Sequence, residues 1–315
     1  MTTVKKYLSL VKFSHTIFAM PFAMIGFVLG SSERIHIWIA GFYSDFSPSS
    51  PVFNEGASYK PLWQVFFLVL ICMITARSAA MAFNRYLDRS FDARNPRTAI
   101  REIPRGIISP DNALRFVIVN CLLFTATTWF INPVCFFLSP LALFVILFYS
   151  YTKRFTALCH LVLGLGLSLA PIGAYIAVTG HFDVLPVLFS LAVIFWVSGF
   201  DIIYALQDVD FDQSQNLHSI PAALGKERAL RVSRLLHVLS AACVICAGVW
   251  GNFQWLYWIG AAVFAGMLVY QHSLVRADDL SKVNIAFMTA NGIASIVFGA
   301  LVIADLLFIK PSYLG

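Results

Sequence analysis

Runs of about twenty apolar residues, separated by short polar stretches, recur along the 315-residue chain. A helix of that length covers a hydrocarbon core ~30 Å thick, so each run predicts a membrane span. Nine such windows are read, at 13–30, 63–83, 113–131, 133–151, 158–179, 186–206, 235–250, 253–272 and 284–308. Only Asn132-Pro133 separates the third from the fourth. The first window is too long for a secretory leader, lacks a small-residue cleavage site and is interrupted by His15 and Pro21. The pattern therefore predicts an all-α integral membrane protein, multi-pass, forming a single domain over 1–315.

Composition agrees. The chain is 59% hydrophobic and 12% charged, with a mean hydropathy of +0.78, whereas soluble domains carry about 25% charged residues. The net charge of +6 is distributed by topology and does not call for a nucleic-acid partner. With the N-terminus and the loops after even-numbered spans on one side, that side holds Lys5, Lys6, Lys12, the arginines from Arg85 to Arg105, Arg115, Lys153, Arg154, Lys226, Arg228, Arg231, Arg234, Arg276 and Lys282. The other side holds Arg34, Lys60 and Lys310. The excess of positive charge in cytoplasmic loops then predicts a cytoplasmic N-terminus and an outer C-terminus. Six cysteines all lie in apolar runs and read as small hydrophobes, Cys243 and Cys246 included despite their CxxC spacing. The Ser/Pro/Gly-rich outer loop at 31–62 predicts irregular structure and no chemistry.

The polar residues carry the candidate chemistry. In `AFNRYLDRSFDARNPRT` at the end of span two, Asn84, Asp88 and Asp92 recur every four residues among arginines. Such residues stack on one helix face, one turn apart. In `GFDIIYALQDVDFDQSQNLHSIP` at the end of span six, Tyr204, Asp208 and Asp212 repeat the spacing. Each copy is followed by an Asn and an Ile-Pro, which reads as an internal repeat bringing two acidic helix ends to the cytoplasmic membrane face. At about 100° per residue Arg77 falls in phase with the first motif and Asp201 with the second, whereas Asp210 points the opposite way.

Loop carboxylates could simply pair with loop arginines on a solvated surface. Two phased copies argue otherwise, as do Arg77 and Asp201 deep in apolar sequence, because charges at that depth mark functional cavities. Carboxylates converging with arginines suit Mg²⁺ shared between protein oxygens and a polyphosphate, with the arginines on the remaining phosphate oxygens.

The paired motifs resemble those of the UbiA superfamily of intramembrane aromatic prenyltransferases: Asn-x-x-x-Asp-x-x-x-Asp, matched by Asn84, Asp88 and Asp92, and Tyr-x-x-x-Asp-x-x-x-Asp, matched by Tyr204, Asp208 and Asp212. Many members have Asp directly after the Asn, and this chain has Arg85. The stretches `RNPRT`, `REIPRG`, `YSYTKR` and `KFSHTIFAMPFA` are also similar to the family, so the resemblance runs along nearly the whole chain. It implies nine transmembrane helices around a central cavity. It also implies Mg²⁺-dependent transfer of a prenyl or polyprenyl group from a prenyl diphosphate to a hydroxylated aromatic acid, 4-hydroxybenzoate or a dihydroxynaphthoate, in ubiquinone or menaquinone biosynthesis. The active site would face the cytoplasm of a bacterial inner membrane.

On this reading Asn84, Asp88, Asp92, Asp208 and Asp212 are the metal ligands, with Asp88, Asp208 and Asp212 catalytic. Arg77, Arg97, Lys153 and Tyr204 would contact the diphosphate. Lys12, His15 and Asp201 would bind the acceptor. Two other classes compete: a transporter, which nine spans, a repeat and buried charges also fit, and a CDP-alcohol phosphotransferase, whose Asp-Gly-x-x-Ala-Arg signature is absent.

Overall fold

The computed structural model describes residues 3–11, 19–43 and 60–309, and these are entirely helical or in turns. Lys12 and His15, and with them the predicted cationic end of span one, lie outside the described residues. A short helix α1 (Thr3–Leu10) precedes α2 (Met20–Tyr43) and α3 (Leu62–Leu87). After the six-residue α4 (Arg89–Arg94) come α5 (Pro110–Trp129), α6 (Pro133–Thr152), α7 (Cys159–Thr179) and α8 (Val184–Ala205). A second six-residue helix, α9 (Val209–Ser214), and a single turn, α10 (Ile220–Leu224), lead to α11 (Lys226–Trp250) and α12 (Trp255–Leu274). The last element is α13 (Asn291–Ala304), flanked by π-helical turns at Ile285–Ala290 and Asp305–Ile309.

A helix occupies the described part of each predicted window, and six segments among the described residues are long and apolar enough to cross a membrane. Trp63, Phe67, Phe137, Phe144 and Trp250 are exposed on their outer faces, a surface that demands lipid around it. Cys246 is likewise exposed and Cys159 alone of the cysteines is buried, so the thiols are not uniformly internal; all six are free.

Two boundaries differ in instructive ways. Helix α2 runs to Tyr43, through residues read as the start of an irregular outer loop. No proline occurs before Pro48 to stop it, and propagating a helix adds a hydrogen bond per residue once nucleated. The Asn132-Pro133 junction is a true break. Asn132 caps α6 by accepting from the Cys135 N–H at 2.8 Å, with Pro133 at the first helical position. Its Nδ2 donates to the Ile176 carbonyl at 2.8 Å, tying the turn to α7.

Helix α8 is the central post, packed chiefly against α7 and α11, while α2 crosses α7 and α3 packs on α5. Around α8 the rings of Phe22, Phe189, Trp196, Phe264 and Phe298 form a buried aromatic cluster. The buried Trp196 indole donates to Asn291 Oδ1 at 3.0 Å, as a polar edge in such a core requires. Glycine sets the tightest crossing. A Cβ on Gly26 would sit 1.9 Å from the Pro171 carbonyl oxygen, so α2 and α7 meet there backbone to backbone.

Both acidic motifs fall at a joint. Helix α3 ends at Leu87, Asp88 takes φ −87°, ψ 4°, and α4 restarts. Helix α8 ends at Ala205, a 3₁₀ turn carries Leu206–Asp208, and Asp208 takes φ −107°, ψ 6° before α9. Both conformations lie near the sparsely populated bridge region between helix and strand. The two motifs are thus not stretches of uninterrupted helix, as the four-residue spacing predicted, but matched kinks.

Candidate active site

The kinks place four carboxylates at one end of the bundle, and each meets a cation. Asp88 Oδ1 lies 3.4 Å from Arg154 Nη2. Both oxygens of Asp92 accept from Arg101 Nη1, at 2.7 and 2.9 Å. Asp208 is gripped by Arg97, which donates Nε to Oδ1 at 3.0 Å and Nη2 to Oδ2. Asp212, fully buried, lies 2.6 Å from Lys153 Nζ.

Local backbone structure makes these pairings possible. The loop after α4 begins with Asn95, whose Oδ1 accepts from the Arg97 N–H at 2.9 Å and whose Nδ2 reaches Asp208 Oδ1 at 3.3 Å. The loop of the first repeat therefore straps across to the second motif. Arg97 Nη1 also donates to the Tyr204 hydroxyl at 3.0 Å. On the other side the His218 N–H donates to the Lys153 carbonyl at 2.7 Å, holding the end of α6 against the loop after α9. Ser219 Oγ then donates to Asp212 Oδ2 at 2.9 Å while capping α10. Asn84 Nδ2 donates to Asp88 Oδ2 at 3.1 Å.

The electrostatics are those of crowded anions. Burial first, and Asp92 second, push the Asp88 carboxyl up to about 6, against the pull of Arg154 and Lys153. For Lys153, burial acts to lower the pKa, but Asp212, with Asp208 and the Cys159 thiol adding to it, raises the ammonium above its ordinary value.

Beneath this ring lies a cavity of about 590 Å³ enclosed mainly by α3, α6, α7 and α8. Its walls are almost wholly apolar, with Arg77, Tyr149 and Asp201 as their charged or phenolic members. Leu141, Leu165 and Phe182 line it and are also exposed on the outside, so the cavity reaches the lipid-facing surface between α6 and α7.

Most of the residues singled out from the sequence meet here. Asn84, Asp88, Asp92, Arg97, Lys153, Tyr204, Asp208 and Asp212 form the ring, and Arg77 and Asp201 lie in the cavity wall. Asp210 is exposed on the opposite face of α9. Lys12 and His15 fall outside the described residues.

Sequence reasoning overlooked several neighbours. Arg154, placed by the sequence only among the cytoplasmic basic residues, meets Asp88 and donates to the Leu87 carbonyl at 2.9 Å. Arg101, which the sequence pattern did not single out from the other loop arginines, holds both oxygens of Asp92. Tyr149, one turn before Lys153, lies within electrostatic range of Asp88, Asp201 and Arg77, and that four-residue spacing could have found it. His160 bonds Asp201 across 41 positions, and no local pattern announces such a pair.

The donor set fits a hard divalent cation in its chemistry, being carboxylate and amide oxygens. Among the described residues no three His, Cys, Asp or Glu side chains converge on one metal point, and each of the four carboxylates is engaged by a basic residue. The four carboxylates and four cations balance. A diphosphate entering this ring would bring further negative charge and draw the cations to itself, leaving the carboxylates for a metal.

A model of the UbiA prenyltransferase family matches residues 56–293. Among curated relatives, a 4-hydroxybenzoate octaprenyltransferase of Tolumonas auensis is 28% identical over 244 residues, 78% of this chain and 85% of its own length. One from Aeromonas salmonicida is 30% identical over 247 residues, 78% of this chain and 84% of its own length. Among solved structures, the apo structure of a UbiA homolog from Aeropyrum pernix K1 superposes with a TM-score of 0.77 at 30% identity, covering 93% of this chain and 98% of that one. A UbiA homolog from Archaeoglobus fulgidus bound to DMAPP and Mg²⁺ shares the fold, with a TM-score of 0.67 at 20% identity over 97% of this chain and 100% of that one. Kinked acidic pairs above an apolar cavity, the family match and relatives aligned over most of their length agree: the chain is a membrane-embedded enzyme of the UbiA prenyltransferase family.

Proposed function

We propose that this enzyme transfers a prenyl or polyprenyl group from a prenyl diphosphate to a hydroxylated aromatic acid, with Mg²⁺ as cofactor, at the cytoplasmic face of a bacterial inner membrane. The observation that carries this reading is the strap of Arg97 across the two acidic kinks, directly above an apolar cavity that reaches the bilayer. A lipid diphosphate needs both: a polyanion site at the membrane surface and an apolar path for its tail. The relatives named 4-hydroxybenzoate octaprenyltransferase favour 4-hydroxybenzoate over dihydroxynaphthoates as acceptor. A transporter would need the cavity but not the paired kinks, and no observation here favours one.

Asn84, Asp88, Asp92, Asp208 and Asp212 would hold Mg²⁺. When bound, the metal supplies Lewis-acid charge against the diphosphate oxygens. Arg97, Arg101, Lys153 and Arg154 move from carboxylate to phosphate oxygens, the arginines in bidentate fashion. Their positive charge stabilises the leaving diphosphate as the allylic C–O bond lengthens. Tyr204 keeps Arg97 aimed. The faces of Phe200, Phe287 and Tyr149 line the cavity and can stabilise the allyl cation, while apolar walls keep water from quenching it.

The test supplies purified protein with a radiolabelled prenyl diphosphate and 4-hydroxybenzoate or a dihydroxynaphthoate, with and without Mg²⁺. Metal-dependent appearance of a prenylated acid is expected, and no product with any acceptor would sink the reading. Cavity depth provides a further check. A Cβ on Gly173 would meet nothing within 4 Å and Gly173 lines the cavity. Gly173→Phe is therefore expected to fold normally but to obstruct a long tail. Turnover with an octaprenyl donor should drop at least tenfold while geranyl diphosphate stays within about twofold of wild type, since a lost apolar contact of ~1–3 kcal/mol changes selection by about 10–200-fold.

A further inference from the structure

Phe287 stands in a turn of unusual winding. Residues Ile285–Ala290, just before α13, form a π-turn, in which hydrogen bonds close over five residues instead of four. That winding takes Phe287 out of the ~100° per residue phase of α13. Its ring lies on the Tyr204 ring, with centroids 4.3 Å apart and planes at 31°, and meets the Phe200 ring edge-on at 5.5 Å. Phe287 lines the cavity and Tyr204 does not, so the Phe287 ring is the member of this stack that faces the apolar chamber.

Buried polar side chains hold the turn. Asn291 Nδ2 donates to the Phe287 carbonyl at 2.8 Å and lies 3.4 Å from that of Ala286. From α12, Gln271 Nε2 donates to the Ala286 carbonyl at 2.7 Å. Asn291 Oδ1 takes the Trp196 indole N–H from α8, and an indole can only donate, so the orientation of this amide is fixed. Gln271 and Asn291 are 0% and 1% exposed, and Gln271 Oε1 meets no donor among the described residues. An apolar side chain would avoid that cost. Turns of this winding are rare and recur at functional sites, and this one is pinned from three helices.

The stack leads on to the acidic ring. The Tyr204 hydroxyl accepts from Arg97 Nη1 at 3.0 Å, and the guanidinium carbon lies 5.3 Å from the centre of the Tyr204 ring. The Arg97 side chain is a third exposed, and a long side chain loses rotamer freedom when it is held in one pose. Once a diphosphate draws it off Asp208, the Tyr204 hydroxyl is the contact that keeps its plane. We propose that Phe287, aimed by the π-turn, is a positioning residue for this clamp: by holding the Tyr204 ring it keeps the Arg97 guanidinium facing the diphosphate oxygens. The inference rests on the prenyl-transfer reading for its ligand, and it adds to the donor site a residue outside both acidic motifs.

The test reads diphosphate binding, in which no allyl cation forms, so a role of the Phe287 face in the cavity does not enter. Inorganic diphosphate is titrated calorimetrically, with Mg²⁺ present, into purified wild-type protein, Phe287→Leu, Tyr204→Phe and the double variant. Residues in contact couple by factors of about 2–150, and each single variant is expected to weaken binding at least about fivefold. The double variant should bind no more than about twofold worse than the weaker single, because both changes act on Arg97 in series. Phe287→Tyr keeps the ring and should recover most of the loss, which separates loss of the stack from loss of the fold. Gln271→Leu, away from the cavity wall, should weaken binding about threefold, the usual worth of one interhelical hydrogen bond in a membrane. Unchanged binding in Phe287→Leu or Gln271→Leu, losses that multiply in the double variant, or a loss that Phe287→Tyr does not recover overturns the assignment. Prenyl transfer is assayed beside the titrations. A wild type that binds diphosphate but transfers nothing removes the prenyl-transfer reading and leaves the titrations to decide this one, whereas a wild type that binds no diphosphate removes both.

Discussion

Asp208→Ala is expected to abolish prenyl transfer while leaving the helical bundle folded. The carboxylate sits at the kink between α8 and α9, takes two donors from Arg97 and a third from Asn95, and in the proposed reaction is a metal ligand. Its removal withdraws one oxygen from a polyanion site and releases the strap joining the two repeats. Loss of a single preorganised electrostatic contact typically costs ~10²–10³ in kcat, and losing the strap as well should bring turnover below about a thousandth of wild type. Asp88→Ala, at the matching kink, should behave alike. Asp210→Ala supplies the control, because Asp210 is exposed on the far face two residues away and should leave kcat within about twofold. Diphosphate release by each variant, measured beside its elution profile in detergent, decides the matter. Near-normal turnover in Asp208→Ala, or an Asp210→Ala as inactive as Asp208→Ala, would remove the kinked acidic pair from the mechanism.

Arg85→Ala is the second large effect, and it acts through position. Where many members of the family have an aspartate, this chain has an arginine turned away from the acidic ring. Arg85 is 2% exposed and its Nη1 donates to Glu102 Oε2 at 2.9 Å. Glu102 Oε1 in turn accepts from Ser9 Oγ at 2.5 Å, so the pair joins α3, the loop after α4 and α1. That loop carries Arg97 and Arg101. Truncating one partner of a buried ion pair leaves the other charge stranded and costs ~3–5 kcal/mol, so a marked fall in thermal stability is expected. The KM for the prenyl diphosphate should rise at least tenfold as the two loop arginines lose their anchor, with a smaller change in kcat. Arg85→Lys should recover part of both losses. An Arg85→Asp chain with wild-type stability and donor affinity would show that the position is a ligand after all.

Much of the site could be read from the linear pattern because its residues recur at helical spacing. Asn84, Asp88 and Asp92, and Tyr204, Asp208 and Asp212, were visible for that reason, and the exposure of Asp210 follows from the same phase. The partners were less visible. Arg101 and Arg154 lie in arginine-rich stretches where sequence alone cannot say which guanidinium meets a carboxylate and which meets water. Arg85 looked like a missing ligand, and only its burial against Glu102 gives it a role in positioning.

Hydrophobic periodicity by itself determined where the helices lie, that the protein belongs in a bilayer and that two acidic motifs share one end of it. Those properties depend on local spacing and on transfer of apolar side chains out of water, and both are written residue by residue. The tertiary structure decided the rest: the breaks at Asp88 and Asp208, the strap of Arg97 across the repeats, and the meeting of His160 with Asp201. Kinks and long-range pairs depend on which helices pack together, and in a membrane that choice turns on close approach at small residues such as Gly26 and Gly164 and on polar contacts between helices rather than on further burial of apolar surface. A one-dimensional pattern carries the helices but not their crossings, and the chemistry of this enzyme lies at the crossings.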